Sequence, residues 1–316
     1  MRHRSHGLRI ALLAGASVVA LAAAAPSAGA ADMNKPMPMK APPALPVAKD
    51  TWTWWIEGGA FHTDGGSVGN PAFKPDWGGE GAVGFDWQPF APMHVVGQFR
   101  YGATSKGGPS VHASFTSGPS VITVNESQNL REDHWLVDFG IGRDFGLGNT
   151  HAMWTLGIRV ADLRSKLTAN VSNSTVGPTA APGSFTAVER STFVGAGPRF
   201  GVQGDIPLGN QWSIDWAAGA AVLFGERAVT VTVPAATNFG ASVSDTPAIF
   251  NVDAQAGLSY WFTPATKLTV SYRYDEYFRA LKTVVTTNAF TSTPTVSTKN
   301  IDRAFNGPMV RLTTKF

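Results

Sequence analysis

A period-two alternation of apolar and polar residues runs through most of this chain and limits what it can fold into. Stretches of about ten residues place aromatic or aliphatic side chains on one parity and polar or small side chains on the other. In the stretch HWLVDFGIG, for example, Trp135, Val137 and Phe139 alternate with His134 and Asp138. Because successive side chains of a β-strand point to opposite faces, the pattern predicts strands that separate an apolar medium from a polar one.

The alternating stretch recurs ten times, from WTWWIEGGAF to the C-terminal VRLTTKF. The connections between the stretches alternate in length, with the short QPFAP, GLGNT, IPLGN and TPAT lying between long ones. Transmembrane β-barrels have an even number of strands, short periplasmic turns and longer outer loops. A soluble sandwich would instead need Greek-key connections. The predicted fold is therefore all-β, a transmembrane antiparallel up-and-down β-barrel of about ten strands covering residues 51–316. After a first long loop of about 16 residues, the predicted outer loops are residues 103–131, 165–188, 226–247 and 283–301.

The N-terminal residues predict export. Arg2, Arg4 and Arg9 precede the apolar run IALLAGASVVALAAAA, and a small-residue cleavage site ends at Ala30. We interpret residues 1–30 as a cleaved secretory signal peptide. A transmembrane anchor is the alternative, disfavoured because the apolar core is short and rich in alanine.

Residues 31–50 are rich in proline and methionine and show no periodicity, which predicts a periplasmic linker before the barrel. Met33, Met37 and Met39 are of the type that binds a soft metal such as Cu(I). The interpretation we favour is that these methionines are incidental, so no metal site or cofactor is predicted.

Charge and cysteine content exclude several functions. The chain has 25 Lys and Arg and 22 Asp and Glu, and removing the three signal-peptide arginines leaves 22 of each sign. A chain without a net basic surface is a poor candidate for nucleic-acid binding, so we predict none. The chain contains no cysteine, which rules out disulfide bonds and thiolate metal sites.

The inward parity of the predicted strands carries charges of both signs. A ring of ten strands, spaced about 4.8 Å apart and tilted by about 40°, has a backbone radius of roughly 10 Å, so the interior is narrow. Buried charges in such a space must pair, because an isolated one costs several kcal/mol. Two interpretations stay open, a salt-bridged plug and a narrow pore with opposed acidic and basic walls. The predicted lumen-facing charges are Glu80, Asp86, Arg100, Asp138, Arg159, Arg199, Asp215, Asp253, Arg273 and Arg311.

Aromatic residues at the strand ends predict an interfacial girdle. Trp52, Trp87 and Trp212 lie near predicted strand ends, and the chain finishes on Phe316 at the outward parity. Ring-bearing side chains favour the boundary between hydrocarbon and water. These four residues are therefore predicted to lie at the boundary between hydrocarbon and water. For the barrel as a whole, the predicted lipid partners are outer-membrane lipid and lipopolysaccharide.

Several blocks of the second half resemble the family of the Legionella major outer membrane protein. They are LGIRVADL, FVGAGPRFGVQGDIPLGNQWSIDWAAGAAVLFGERAVTV, FNVDAQAGLSYWF, VSYRYDEYFRAL and FNGPMVRL, within Gly157–Leu312, and the most specific is Gly195–Arg227. The resemblance implies an outer-membrane β-barrel, either a porin or a surface protein, with no catalytic residues to carry over. The disulfide-linked assembly associated with the type member is impossible in a chain without cysteine. A terminal aromatic residue such as Phe316 is implied, by resemblance to outer-membrane barrels generally, to be recognised by the barrel-assembly machinery.

An enzyme is a further functional interpretation. His62 with Asp64, and Asp133 with His134, lie near predicted outer strand ends, where a histidine and a carboxylate could activate water. Their spacing matches that of ordinary solvated residues at the edge of a loop, so no catalytic site is predicted.

The sequence thus predicts an outer-membrane barrel that has a structural role or forms a narrow passive pore. The outer loops are neutral and rich in threonine and serine, with no charge between Lys166 and Glu189. Adhesion through these loops is the alternative function. A homo-oligomer and a host or other surface ligand remain open as partners.

Overall fold

A computed structural model describes most of the predicted barrel region. The N-terminal residues 1–50, with the predicted signal peptide, linker and methionines, lie outside the described residues. Among the described residues, no helix is long and apolar enough to cross a membrane. The described ranges are residues 51–65, 77–108, 110–117, 120–147, 150–176, 183–233, 239–287 and 295–316.

The described residues form antiparallel strands, and ten of these close into a barrel, which confirms the predicted fold. Within the ring each strand pairs with the next ring strand along the chain, and the first strand pairs with the last to close the ring. Two short strands lie outside the ring, the fourth paired with the fifth and the ninth paired with the eighth. The strands are β1 (Thr51–Gly65), β2 (Trp77–Phe90), β3 (Met93–Gly107), β4 (Val111–Ser117), β5 (Ser120–Leu147), β6 (Thr150–Val176), β7 (Gly183–Gly209), β8 (Trp212–Val233), β9 (Phe239–Asp245), β10 (Ala248–Thr263), β11 (Thr266–Thr287) and β12 (Thr295–Lys315).

The exterior of the ring carries a continuous apolar band. Exposed Ile56, Val83, Phe139, Ile158 and Val270 project from five different strands at the parity that faces away from the interior. Along β5, outward apolar side chains occupy every second position between charged residues at 133 and 143. A strand needs about 9–11 tilted residues to cross a bilayer, so this spacing fits the hydrocarbon thickness.

Strands rather than loops form most of the predicted outer connections. The predicted loop 165–188 instead contains the end of β6 and the start of β7, which pair from Ser165↔Ser191 to Asn173↔Gly183. β5, β6 and β7 are 28, 27 and 27 residues long, far more than a membrane crossing requires. The loop boundaries were wrong because the outward side chains above the apolar band are polar, as at Arg131, Lys166 and Arg190. The pairing continues there without the contrast on which the sequence reading depended.

A bulge interrupts β11 near the outer edge of the apolar band. The register with β12 shifts between Tyr277 and Leu281, and Arg279 adopts φ 58°. The four residues after the bulge, Ala280 to Thr283, are all buried, whereas a regular strand alternates. The bulge therefore turns this part of β11 across the interior toward β7.

Candidate functional site: the barrel interior

Arg159 of β6 lies at the centre of the interior with none of its surface exposed. Its Nε lies 2.7 Å from Asp138 Oδ1, and its Nη1 lies 2.9 Å from Asp253 Oδ1. Arg199 Nη2 lies 2.9 Å from Asp253 Oδ2 and its Nε 3.4 Å from Asp138 Oδ2. Two guanidinium groups and two carboxylates from β5, β6, β7 and β10 thus form a neutral quartet.

Glycines of β7 and β8 leave room for the Arg199 guanidinium. A methyl group added at Gly219 would lie 2.5 Å from Arg199 Nη2, and one added at Gly201 would lie 2.8 Å from its Nη1. Both distances are shorter than any unstrained contact. Glycine at these two positions therefore allows the Arg199 guanidinium to pack within the quartet, which a larger residue would prevent.

A second set of ion pairs occupies the neighbouring side of the interior. Arg273 of β11 pairs with Glu57 and Glu80, and Arg311 Nε donates to Glu57 Oε2 at 2.9 Å. Arg100 Nη1 donates to Asp275 Oδ2 at 2.8 Å. These contacts join strands on both sides of the β1–β12 pairing.

An amide joins the two sets of charges. Asn251 of β10 accepts a hydrogen bond from Arg159 Nη1 at 2.5 Å, and its own Nδ2 donates to Asp275 Oδ1 at 2.6 Å. The result is a layer of paired charges across the barrel, hereafter the charge layer. It consists of Glu57, Glu80, Arg100, Asp138, Arg159, Arg199, Asn251, Asp253, Arg273, Asp275 and Arg311.

The structure places all ten predicted lumen charges inside the ring and brings eight of them into the charge layer. The other two lie nearer the short turns, where Asp86 Oδ1 is 2.8 Å from His94 Nδ1 and Asp215 Oδ2 is 2.6 Å from Lys267 Nζ. Asn251 and Asp275 have the inward parity in the sequence but were not among the predicted lumen-facing residues, and Glu57 was not identified, although the parity of its strand points to it.

An apolar layer seals the interior on the outer side of the charge layer. Leu163, Phe193, Leu223, Ile249 and Leu281, from five strands, are each at most 1 % exposed. A small barrel is commonly filled by its own side chains, and this one is filled by two layers of opposite chemistry. The apolar layer comprises Phe61, Leu130, Leu136, Ala161, Leu163, Leu167, Phe193, Ala221, Leu223, Ile249, Tyr277, Ala280, Leu281, Ile301, Phe305 and Met309.

His134 was expected at a solvated strand edge, and that expectation was wrong. Its side chain is buried, its Nε2 lies 3.0 Å from Glu80 Oε2, and its ring stacks on Phe305 with centroids 4.0 Å apart. Asp133 points to the opposite face of the same strand. The two residues therefore do not form a catalytic pair, because adjacent strand residues face opposite sides of the sheet.

His62 and Asp64 do face the same side. His62 Nδ1 lies 3.4 Å from Asp64 Oδ1 on the exterior, beside the ring of Trp77. Asp64 also accepts a hydrogen bond from Asn306 Nδ2 at 2.9 Å. The pair lies on the outer surface of the wall, with half of the Asp64 side chain exposed, so it is a surface contact.

Polar contacts fasten the bulged part of β11 above the apolar layer. Ser191 and Glu189 of β7 accept hydrogen bonds from the backbone N–H groups of Lys282 and Val284, at 2.8 and 2.9 Å. Arg227 donates to the Arg279 carbonyl and, through Nη2, to Asp245 Oδ2 at 2.7 Å. β11 is therefore bonded across the ring to a strand that is not its neighbour.

Two carboxylates in this outer region have shifted pKa values of opposite direction. The hydrogen bond from Arg227, helped by Lys282, lowers the pKa of Asp245 to about 2. Burial raises the pKa of Glu189, against the opposing effect of its hydrogen bonds from Val284 and Thr283. The bulge is thus fastened by one strongly ionised carboxylate and one that is harder to ionise.

A vestibule of about 400 Å³ lies on the turn side of the charge layer. Its walls extend from His151 and Lys315, beside the short turns, to Arg199 and Arg273 in the charge layer. The wall carries carboxylates, cations, amides and the rings of Trp55 and Trp261. The vestibule therefore ends against paired charges.

The four predicted girdle residues lie at the turn end in two groups. Trp52 stacks on Trp87 with centroids 5.3 Å apart, and the Phe316 N–H donates to the Trp52 carbonyl at 2.7 Å. Trp212 packs against Tyr260 at 4.9 Å on the opposite part of the ring. Phe316 is 76 % exposed, so its ring projects outward while its backbone closes the seam between β12 and β1.

Comparisons with known proteins agree with this architecture. The family model described as the Legionella pneumophila major outer membrane protein precursor matches residues 86–316. The structure of the outer membrane protease OmpT from Escherichia coli is similar, with 12 % identity, 86 % of this chain and 99 % of that chain covered, and a TM-score of 0.51. At this identity the likeness concerns the fold alone. The attachment invasion locus protein Ail of Yersinia pestis matches at 11 % identity over 84 % of this chain and 98 % of that chain, with a TM-score of 0.27 that supports no argument. No curated protein matches the chain.

Proposed function

Because the chain belongs to the family of the Legionella pneumophila major outer membrane protein, we propose that it is a structural outer-membrane barrel whose lumen is closed to solutes. The observation that carries the proposal is the complete burial of Arg159 between Asp138 and Asp253. A conducting pore would require water around these groups. The Arg159 guanidinium instead makes charge-assisted hydrogen bonds to two carboxylates, which take the place of water around it.

The apolar layer supports the same function independently. Ions crossing the barrel would have to displace Leu163, Phe193 and Leu281, which pack without exposure above the charge layer. Paired charges resist removal of a single member, and packed apolar side chains exclude water. The two layers together stiffen the wall and block passage.

Conductance in a planar bilayer tests the proposal. The folded wild-type chain should insert, as its heat-modifiable gel mobility reports, and pass no steady current. The double variant Arg159→Ala with Phe193→Ala shortens one side chain in each layer and should introduce leak. The control Leu156→Ala with Val194→Ala alters outward positions of the same two strands and should leave the barrel closed. A steady ohmic current through the wild-type protein would overturn the closed-lumen proposal.

Surface interaction is the second candidate, and the length of the strands above the band favours it. The β8–β9 pairing continues from Arg227↔Asp245 to Val233↔Phe239. Along it, threonines of β8 and serines of β9 alternate with valines. Deleting residues 231–241 would leave Thr230 and Ser242 as a two-residue turn between the paired Val229 and Val243. Cells displaying this shortened chain should adhere as well as the wild type if the role is purely structural, and less well if the hairpin contacts a surface.

A further inference from the structure

Three basic side chains lie side by side on the outward face of neighbouring strands. Arg131 of β5 is the direct cross-strand partner of Lys166 of β6, and Lys166 is the direct partner of Arg190 of β7. All three residues are exposed. Their neighbours in sequence, among them Leu130, Leu167 and Ser191, face the interior, which fixes the outward direction of the basic side chains. We call these three residues the basic row.

The basic row is poorly neutralised by the protein itself. Arg131 has one acidic neighbour, with 4.0 Å between its Nε and Asp133 Oδ1. In the described part of the chain, no hydrogen bond or ion pair reaches the side chain of Lys166 or Arg190. Like charges directly opposite one another on a sheet are destabilising, and Lys166 has such a neighbour on both sides. Among the described residues, then, Asp133 is the one anion in contact with the row, and it leaves the charges of Lys166 and Arg190 without a partner.

The height of the row above the apolar band identifies the kind of anion. Trp135 ends the band on β5, and its Nε1 donates to Asp162 at 3.1 Å, where the first outward charges begin. Arg131 lies four residues further along the same strand, about 14 Å at the usual rise. Allowing for strand tilt, this is the level of lipid headgroups, just outside the hydrocarbon.

The opposite side of the barrel differs in charge at the same level. Outward Asp64, Glu276 and Asp302 lie on β1, β11 and β12, beside the bulge residue Arg279. Arg164 of β6, below the row, is already paired with Asp162 at 2.5 Å. Unpaired basic charge is therefore concentrated on the β5–β7 face, where it favours an anionic headgroup on that face over the others.

We propose that the basic row binds the phosphate groups of an outer-leaflet lipid, specifically the phosphates of lipid A. Arginine donates two parallel hydrogen bonds to a phosphate, and lysine contributes a compact positive charge. Spacing between adjacent strands places neighbouring basic groups about 5 Å apart, close enough to share one phosphate or to hold two phosphates of one headgroup. The bound phosphate would remove the repulsion within the row. This role is independent of whether the lumen conducts.

The test compares unfolding midpoints in urea for the full chain folded into phosphatidylcholine vesicles that contain either phosphorylated or fully dephosphorylated lipid A. Phosphorylated lipid A should raise the wild-type midpoint relative to the dephosphorylated lipid. Lys166→Gln with Arg190→Gln should lose most of this difference, corresponding to a loss of about tenfold in apparent affinity. In phosphatidylcholine alone the same variant should be at least as stable as the wild type, because repulsion has been removed.

The control Arg143→Gln removes an outward, exposed arginine at the turn end of β5 and should keep the full lipid A effect. Equal loss in this control would attribute the effect to total charge and overturn the proposed site. An unchanged lipid A effect in the double variant would do the same. Stabilisation of the wild type by inorganic phosphate, to the extent seen with lipid A, would overturn the assignment of a lipid in favour of a free anion.

Discussion

At the scale of single residues, the environment of Arg159 is the most sharply defined feature of the barrel. It has no exposed surface, and its charge is balanced by Asp138 and Asp253. A buried ion pair contributes little net stability relative to an apolar pair, but loss of one partner leaves a desolvated charge. The effect of Arg159 on stability is therefore best measured by comparing its single substitution with a double substitution that also removes one of its carboxylate partners.

Arg159→Met should lower the free energy of unfolding by about 3 to 5 kcal/mol, because two buried carboxylates lose their shared cation. Adding Asp138→Leu should restore part of that loss, since Arg199 and Asp253 then remain as a balanced pair. The measurement is urea unfolding in lipid vesicles, with Arg143→Gln as a surface control. A double variant less stable than Arg159→Met would contradict the quartet.

Gly219→Ala tests the packing around Arg199. The added methyl would meet the guanidinium at 2.5 Å and Asp253 Oδ1 at 3.0 Å, so the pair must separate, at a cost of about 1 to 3 kcal/mol. Gly79→Ala on the exterior is the matched control, since nothing lies within 4 Å of its added methyl. Equal unfolding midpoints for the two variants would show that the glycine at 219 has no steric role.

At the scale of secondary-structure elements, the bulge of β11 decides how the interior is closed. A regular strand would direct every second residue outward, but Ala280, Leu281, Lys282 and Thr283 are all buried. Arg227 of the β8–β9 hairpin, itself paired with Asp245, donates a hydrogen bond to the bulge. Glu189 of β7 accepts a hydrogen bond from the backbone N–H of Val284 on β11. Closure of the outer side thus depends on strands that do not pair with β11.

The pKa of Asp245 predicts an acid-sensitive hairpin. Its value falls from 3.8 to about 2 in the folded chain, because Arg227 and Lys282 favour the ionised carboxylate. The stabilisation is therefore complete above about pH 4 and is lost as pH falls through 2. Hydrogen exchange of the β8–β9 amides should be slower in the wild type than in Asp245→Asn at pH 5, and the difference should shrink toward pH 2. The exposed Glu226→Gln is the control, and a difference that grows on acidification would contradict this assignment.

At the scale of the whole molecule, the distribution of polarity is the reverse of that in a soluble domain. Large apolar side chains such as Phe139, Ile158 and Phe200 are more than half exposed, whereas Arg159, Arg273 and Arg303 are buried. An outer-membrane setting accounts for both observations, because hydrocarbon solvates the exterior and only paired charges survive inside. Pairing of β1 with β12 closes the ten ring strands on themselves, so each of them has a partner on both sides in the part of the chain that the structure describes.

Phe139→Arg should lower the free energy of unfolding in lipid by about 2 to 4 kcal/mol, because the new charge faces hydrocarbon near mid-band. Gln203→Arg introduces the same side chain on the inward parity, at the wall of the vestibule, and should be much milder. Refolding yield and urea midpoints in vesicles provide the comparison. Equal damage from the two variants would mean that the exterior near Phe139 does not contact lipid.

The sequence by itself predicted a ring of about ten strands, their up-and-down order and the face of each strand, because a period of two is a local property that each strand repeats. The short strands β4 and β9, outside the ring, were not among those ten. The sequence also determined that the charges at 159, 199 and 253 share the inward face. Only the tertiary structure decided which of them meet, since Arg159 and Asp253 belong to strands that do not pair with each other and are 94 positions apart in the chain. The same holds for Glu57 with Arg273 and for the bulge of β11, because cross-ring contacts depend on strand height and register. Periodicity does not encode either quantity. The extension of β5, β6 and β7 above the band was missed for a different reason: backbone pairing continues there, but the outward side chains are no longer apolar.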